Sequence, residues 1–365
     1  MFKIAYFCLN ISRGGLERLL LQICSEFKAN YPDIHPVVVA FQKKEQDLTP
    51  EFINAGISVE FLNISDTDFG LPHFLTIYKW LKRNKPDVVH THSGYRIDMF
   101  ILMAAGFAGI RKRFCTIHNM DQPERAKSRV SFKVSSFLSN SVIAVSESAK
   151  NFYIENHFYD SKKLRVIYNC PGFKFQEFKP RTEGLSEKSI IKLVNIGSLR
   201  FQKGQIFLIR AMKILQSSGL LFQLDIYGAD RFGYGDIIFN EISNLGLKMV
   251  SYKGETDSVG EILANSDILI ASSVREAMPL VVLEGVMAGI PIVATDILPH
   301  REILCPITTS ILVEPESETA IADGILKLIR QKEHYNRYSE ELLNRSKDFS
   351  PDITVRKHLD LYMAD

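Results

Sequence analysis

Short apolar runs recur along the chain, each followed by a longer stretch in which apolar and polar positions alternate at the helical period. Residues 3–9 read as a strand and 15–29 as a helix. Residues 36–41, 58–62 and 87–90 are further strands, 94–110 a helix, and 114–117 and 142–145 two more strands. Strands alternating with helices of about 10–15 residues predict βαβ units and a parallel sheet. The apolar runs fade after Val166-Ile167-Tyr168, and the next twenty or so residues hold Pro171, Gly172, Pro180 and Gly184 among charges, the composition of a linker.

The alternation then restarts, with strands at 192–197, 222–227, 248–252 and 267–271 and a helix at 205–216. Helical signals return over 316–344, Ser350-Pro351 breaks them, and an amphipathic stretch closes the chain at 353–363. The expected organisation is a first α/β domain over 1–170, a linker over 171–188, a second α/β domain over 189–347 and a terminal helix over 348–365 that crosses back to the first domain. Two such domains make a cleft, and open parallel sheets take ligands at the carboxyl ends of their strands.

Composition changes this picture little. With 365 residues, 46% apolar and 24% charged, the chain has the size and balance of a two-domain globular enzyme. The net charge of +2 hides a split: residues 1–170 carry 22 Lys/Arg against 16 Asp/Glu, a balance of +6, which leaves −4 for the remainder. A basic first half suits an anionic partner, either a phospholipid surface or a phosphate-bearing substrate, and is equally what a few chance surface charges give. The five cysteines (Cys8, Cys24, Cys115, Cys170 and Cys305) are scattered, none with metal-ligand spacing, as in a reducing compartment. Met1-Phe2-Lys3-Ile4 runs straight into a strand without a signal-peptide layout, and the longest apolar run, residues 99–110, is too short to span a bilayer. A cytoplasmic location is expected.

Candidate chemistry concentrates in the second domain. Glu276 precedes Pro279, which can open a helix, and Glu284 lies on that helix before Gly289 stops it. Two carboxylates placed so suit a polyol better than a metal, since each can accept two hydroxyl hydrogen bonds, while the exposed helix N–H groups face an anion. Upstream, Gly197-Ser198-Leu199-Arg200-Phe201-Gln202-Lys203-Gly204 places two cations between glycines at a strand end, a diphosphate seat or a solvated basic loop. Gly228 ends another strand and permits close approach. In the first domain Gly14-Gly15 opens a helix after the first strand but lacks the third glycine of a dinucleotide fingerprint.

Together these residues resemble the retaining GT-B glycosyltransferases of family 4. The resemblance rests on the E-x7-E stretch from Glu276 to Ala294 and on six companions in order: Gly14-Gly15, Asp87 to His92, Thr116-Ile117-His118, Ala144 to Glu147, Val166 to Asn169, and Gly197 to Gly204. It implies two Rossmann-like domains facing a central cleft, a nucleotide-diphosphate sugar as donor, a saccharide or lipid-linked saccharide acceptor, retention of configuration, no metal or other cofactor, and no nucleic-acid partner. It further implies that Glu284 binds ribose hydroxyls and Glu276 the transferred sugar, and that the amides around Met278, Leu280 and Val281 bind sugar hydroxyls and the diphosphate. Lys203 and Arg200, with Gly197 and Gly228 beside them, take the diphosphate; His118 lines the sugar pocket; Gly14-Gly15 closes on phosphate or acceptor. The implied setting is bacterial surface polysaccharide assembly (O-antigen, capsule or exopolysaccharide) at the inner face of the membrane. Ser198 stands where Arg is frequent, Ala277 and Cys170 where Gly is, and Asn119 where Asp is, which leaves donor recognition open. A nucleotide-sugar epimerase of similar fold and a non-catalytic sugar-nucleotide adaptor are the rival readings.

Three further signals carry less. Asp66-Thr67-Asp68 has the D-x-D form of a metal-binding loop in the other major glycosyltransferase fold, but such pairs also cap turns. His90 and His92 point to one side of a strand, yet no third ligand has zinc-site spacing. Residues 124–138 interleave Arg125, Lys127, Arg129 and Lys133 with Val130, Phe132, Val134, Phe137 and Leu138, either a basic helix on an anionic membrane or a surface helix with its apolar face in the core.

Overall fold

The computed structural model describes residues 1–365 apart from 46, 66–69, 121–125, 173–184, 186–189, 232 and 365. The described chain forms two compact units, Met1–Gly172 with Ser350–Asp365, and Phe173–Phe349. Asp66-Thr67-Asp68 and most of the linker lie outside the described residues.

In the first unit the strands are β1 (Phe2–Cys8), β2 (Ile34–Ala40), β3 (Ser58–Phe61), β4 (Val88–Thr91), β5 (Lys112–Ile117), β6 (Ser141–Ala144) and β7 (Leu164–Val166). They form one parallel sheet in the order β3-β2-β1-β4-β5-β6-β7. Ile4 to Phe7 and Val88 to Thr91 are buried on both faces, which is why Ile4 to Phe7 reads as an unbroken apolar run instead of an alternating one, while β4 buries His90 and Thr91 as well. On one face Phe7, Val39, Val89 and Phe41 meet Ile77, Leu81, Ile101 and Ala105 from the helices Leu71–Asn84 and Tyr95–Ala108. The second helix is capped by Gly94 and by a left-handed Gly109 at φ +87°, so it starts one residue after and ends two residues before the expected span of 94–110.

The opposite face of β1, β4 and β5 carries Tyr6, His90 and Phe114 in register, and the last helix, Pro351–Met363, lies over them. Ser350 caps that helix at the Ile353 amide, and Pro351 occupies its first turn, as a Ser-Pro start dictates. Tyr362 packs edge-on to His90, and the Lys112 ammonium closes the helix end by donating to the carbonyls of Tyr362 and Ala364.

The second unit holds β8 (Ile191–Ile196), β9 (Phe222–Tyr227), β10 (Val250–Gly254), β11 (Ile268–Ala271), β12 (Ile292–Thr295) and β13 (Ile311–Val313), all parallel in the order β10-β9-β8-β11-β12-β13. Along β9 burial alternates, so one face of this side of the sheet stays partly open. Two expectations shift. The strand expected at 248–252 is Val250–Gly254, an edge strand whose pairing slips at Tyr252 and ends in a left-handed Gly254. The single helical stretch over 316–344 is two helices, Glu318–Arg330 and Lys332–Ser346, because Gln331 leaves helical backbone angles (φ −116°, ψ 82°). Among the described residues no helix is long and apolar enough to cross a membrane.

Candidate functional site

In each sheet the strand order reverses once, between β1 and β4 in the first unit and between β8 and β11 in the second. Crossovers diverge at such a point, so loops at the carboxyl ends of the two central strands leave a crevice. The predicted residues of the second unit gather at one of these crevices. Gly228 follows β9, Gly197 to Lys203 follow β8, Glu276 follows β11, and Thr295 ends β12.

Lys203 ends a short 3-10 turn, Phe201–Lys203, held by the left-handed Gly204 that opens the helix Gln205–Ser217. Its ammonium lies 2.5 Å from Glu276 Oε1, and Ser273 Oγ donates to the same oxygen at 2.8 Å. Both partners are mostly enclosed, at 21% and 14% side-chain exposure. Burial alone would raise the Glu276 carboxyl; the Lys203 charge and the two hydrogen bonds outweigh it and hold the group below its ordinary value. Ser272 Oγ donates to the Lys203 carbonyl at 2.9 Å, and the Val274 amide to the Gln202 carbonyl at 2.8 Å, so the two loops brace each other. Arg200 Nε donates to Ser198 Oγ at 2.8 Å: the serine standing where arginine is frequent steers the arginine two residues on.

Pro279 is extended and flanks the helix Leu280–Ala288, which begins one residue later than a helical Pro279 would imply. Its ladder starts with the Val282 and Leu283 amides reaching the Pro279 carbonyl. The Leu280 and Val281 amides are therefore the ones with no helical acceptor, and Met278 is buried just before them. Glu284 is buried on the second turn of this helix.

One residue at this crevice carried no sequence signal strong enough to find it. His300, on the helix Leu298–Leu304 after β12, is fully buried; its Nδ1 donates to the Thr295 carbonyl at 2.7 Å, which leaves Nε2 as a buried acceptor with no hydrogen-bond partner among the described residues. Burial pushes the imidazole down to about 4, against the pull of its Thr295 bond and the Glu276 charge, so it is neutral near pH 7. A histidine five residues beyond a strand's carboxyl end was the available clue.

The glycines set the approach of these loops. Gly228 has φ +144°, and a Cβ there would stand 2.0 Å from the Gly197 carbonyl oxygen. Gly228→Ala is expected to destabilise the second unit by at least about 2 kcal/mol, through backbone strain plus displacement of the β8 loop. Urea unfolding measures it, and an unchanged midpoint would show that the two strand ends do not touch.

Gly14, Gly15 and His118 belong to the first unit. Gly14 caps the helix Gly15–Asn30, and the room left by its missing side chain is taken by the Glu17 carboxylate, which also accepts from Ser12 Oγ at 3.2 Å. His118 follows β5, with Nε2 2.9 Å from His92 Nδ1, and both line a cavity of about 290 Å³ with Asn10, Glu17, Asp98 and Tyr153. His90 faces inward, its ring nitrogens occupied by Tyr362 Oη at 2.5 Å and Thr116 Oγ1 at 2.7 Å, so it is a core residue.

Two family models divide the chain between them: Glycosyltransferase Family 4 over residues 13–170 and Glycosyl transferases group 1 over 176–344. The chain is 23% identical over 314 residues to the UDP-Gal:alpha-D-GlcNAc-diphosphoundecaprenol alpha-1,3-galactosyltransferase of Escherichia coli, covering 81% of this chain and 79% of that one. It is 25% identical over 213 residues to the capsular polysaccharide biosynthesis glycosyltransferase CapM of Staphylococcus aureus, covering 55% of each. Among solved structures it shares the fold of Anabaena HepE in complex with UDP and glucose, at a TM-score of 0.81 and 18% identity over 99% of both chains. The chain therefore belongs to the GT-B glycosyltransferases that join a family 4 first domain to a group 1 second domain.

Proposed function

We propose that this glycosyltransferase takes a nucleoside-diphosphate sugar as donor, seated in the second unit at its switch-point crevice. The observation that carries the reading is the Lys203–Glu276 pair beside the open N-terminus of the helix Leu280–Ala288. Lys203, Arg200 and the Leu280 and Val281 amides neutralise the diphosphate. Glu284 receives the ribose hydroxyls and Glu276 the hydroxyls of the transferred sugar.

In the reaction the bond from the anomeric carbon to the diphosphate oxygen breaks, with its electron pair going to that oxygen. An acceptor hydroxyl oxygen bonds to the same carbon from the same face, and its proton passes to the departing diphosphate. The configuration is retained, no covalent nucleophile is assigned, and no resident metal is required. Cations held in advance where the leaving group gains charge do the catalytic work.

The acceptor is a saccharide, free or lipid-linked, in surface polysaccharide assembly on the cytoplasmic side of a bacterial membrane. The Escherichia coli and Staphylococcus aureus relatives, a galactosyltransferase acting on a diphosphoundecaprenol-linked sugar and a capsular polysaccharide glycosyltransferase, support this setting.

A thermal-shift screen of nucleotide sugars without added metal tests the donor assignment. One donor class at a hundred times its Kd stabilises the protein by about 2.7 kcal/mol. Glu284→Ala removes that shift, while Glu276→Gln keeps most of it and loses turnover. A screen in which no nucleotide sugar stabilises the protein overturns the reading.

A further inference from the structure

The turn that carries Glu276 has no backbone ladder of its own. Residues 272–279, between β11 and the helix Leu280–Ala288, form neither helix nor strand, so side-chain bonds decide where the carboxylate stands. On one side the Lys203 turn holds it. A Cβ at Gly204 would meet the Ser272 carbonyl oxygen at 2.0 Å, and the Ser272 hydroxyl and Val274 amide both reach back to that turn.

On the other side the turn is held from β12. Thr295, the last residue of that strand, is fully buried, and its hydroxyl donates to the Ser273 carbonyl. With its proton so committed, the Thr295 oxygen faces His300 Nδ1 as an acceptor, 3.2 Å away. The Thr295 carbonyl, 2.7 Å from the same nitrogen, can only accept, so Nδ1 carries the hydrogen and the tautomer is set. Ser273 is itself buried, and its hydroxyl donates to Glu276 Oε1 at 2.8 Å. A run of bonds therefore leads from His300 through Thr295 and Ser273 to the carboxylate paired with Lys203. Glu276, Lys203 and Asp296 are the charges that act on His300, and burial keeps it neutral near pH 7. Phenylalanine would fill the same space without burying an acceptor such as Nε2, which has no hydrogen-bond partner among the described residues, so the imidazole is explained by what Nδ1 donates to.

We propose that His300 is a positioning residue for sugar transfer: through Thr295 it fixes the turn from Ser273 to Glu276 and with it the place of the Glu276 carboxylate. His300 has no solvent exposure, so it acts through these bonds and not by touching a substrate. The inference rests on the role proposed above for Glu276. A displacement of about 1 Å at a group that orients the reacting sugar costs about 10²-fold in rate. Binding of the nucleoside diphosphate alone is spared, because Glu284 and the amides of Leu280 and Val281 lie on the helix beyond the turn.

Two substitutions of His300 pull in opposite directions. His300→Asn keeps a donor near the place of Nδ1 and loses most of the ring, whereas His300→Phe keeps the ring and loses the donor. A positioning role predicts that kcat stays within about fivefold of the parent in the Asn variant and falls about 10²-fold in the Phe variant, while the thermal shift given by the donor's nucleoside diphosphate is unchanged in both. A residue that only fills the core gives the reverse order, which overturns the inference. Where the Phe variant does not fold, Thr295→Val breaks the same chain one bond further on and is expected to lose kcat alike. A second readout needs no donor: the titration of the Glu276 carboxyl, followed by NMR of carboxyl-labelled glutamate and assigned with Glu276→Gln. Loosening its contacts with Ser273 and Lys203 lets burial raise the group, so ionisation moves to higher pH in the Phe and Val variants and stays in place in the Asn variant. A titration unmoved in all three overturns the inference. That result and a nucleotide-sugar screen without a hit are separate observations, so either reading can fail while the other holds.

Discussion

Lys203→Met is expected to lower kcat about 10²–10³-fold, the usual loss of about 2.7–4 kcal/mol when one preorganised charge-stabilising group is removed. Its second consequence separates this effect from a mere packing defect. In the parent protein burial pushes the Glu276 carboxyl up, and the Lys203 charge outweighs it and holds the group ionised. Without the ammonium, burial dominates and the carboxyl moves above its ordinary value. Turnover that needs the carboxylate then falls away as pH drops through that raised value, so the variant's kcat acquires an acid limb at higher pH than the parent's. Glu276→Gln in the Lys203→Met background should cost little beyond the larger single loss, because the two groups act as one unit 2.5 Å apart. A kcat within a few-fold of the parent, or an acid limb that does not move, removes Lys203 from the chemistry.

Much of the fold was legible because the central strands are buried on both faces. Residues 3–9, 222–227 and 267–271 read as short apolar or alternating runs bounded by turn residues, and β1, β9 and β11 lie there. The strands Leu164–Val166 and Ile311–Val313 are three residues each, too short to register as runs. The helical period carries on smoothly across Gln331, so nothing in the pattern marked the break between the last two helices of the second unit.

At the site, the sequence could show that Lys203 and Glu276 each follow a strand. That β8 and β11 are neighbours at the reversal of strand order is a property of the whole sheet. His300 stayed hidden because its meaning lies in the Thr295 carbonyl and in an enclosure built by other segments. Residues 124–138 were read as amphipathic in one of two ways; in the helix Ala126–Leu138 Phe132 is buried together with Ser131, Ser135 and Ser136 and Val134 and Leu138 are half-buried, while Val130 and Phe137 are exposed, a mixture that periodicity does not foretell.

Hidden in the same way is the histidine cluster under the last helix, which makes the first unit sensitive to acid. His90 and His358 are separated by 268 residues in sequence, yet their ring centroids are 5.6 Å apart, and His92 is 4.3 Å from His90. All three are buried, and burial holds each below its ordinary value, His358 at about 4. The charges that act on His90 and His92 come from other histidines, so protonating one makes the next harder. In the unfolded chain each takes up a proton near pH 6.5, so unfolding binds protons that folding excludes. Stability is therefore complete above about pH 6.5 and lost as pH falls from there toward about 4, at up to about 4 kcal/mol per pH unit for three groups. Asp98 opposes this. Burial raises its carboxyl to about 6 despite hydrogen bonds from Thr91, Gly94 and Ser93, so between about pH 6 and 4 the folded state gains a proton there and offsets one histidine. His118, lowered to about 3 by burial beside His92, adds to the loss, so the net effect is that the first unit loses stability as pH falls below about 6.5. Tyrosine near-ultraviolet circular dichroism, reporting Tyr6 and Tyr362 against the cluster, should show cooperative unfolding of the first unit in mild urea between pH 6 and 5. His358→Gln removes one titrating ring and should flatten the pH dependence by about 1.4 kcal/mol per pH unit, whatever it does to stability at pH 8. Urea midpoints that stay constant from pH 7 to 5 would mean that the imidazoles are reached by water and titrate alike in both states.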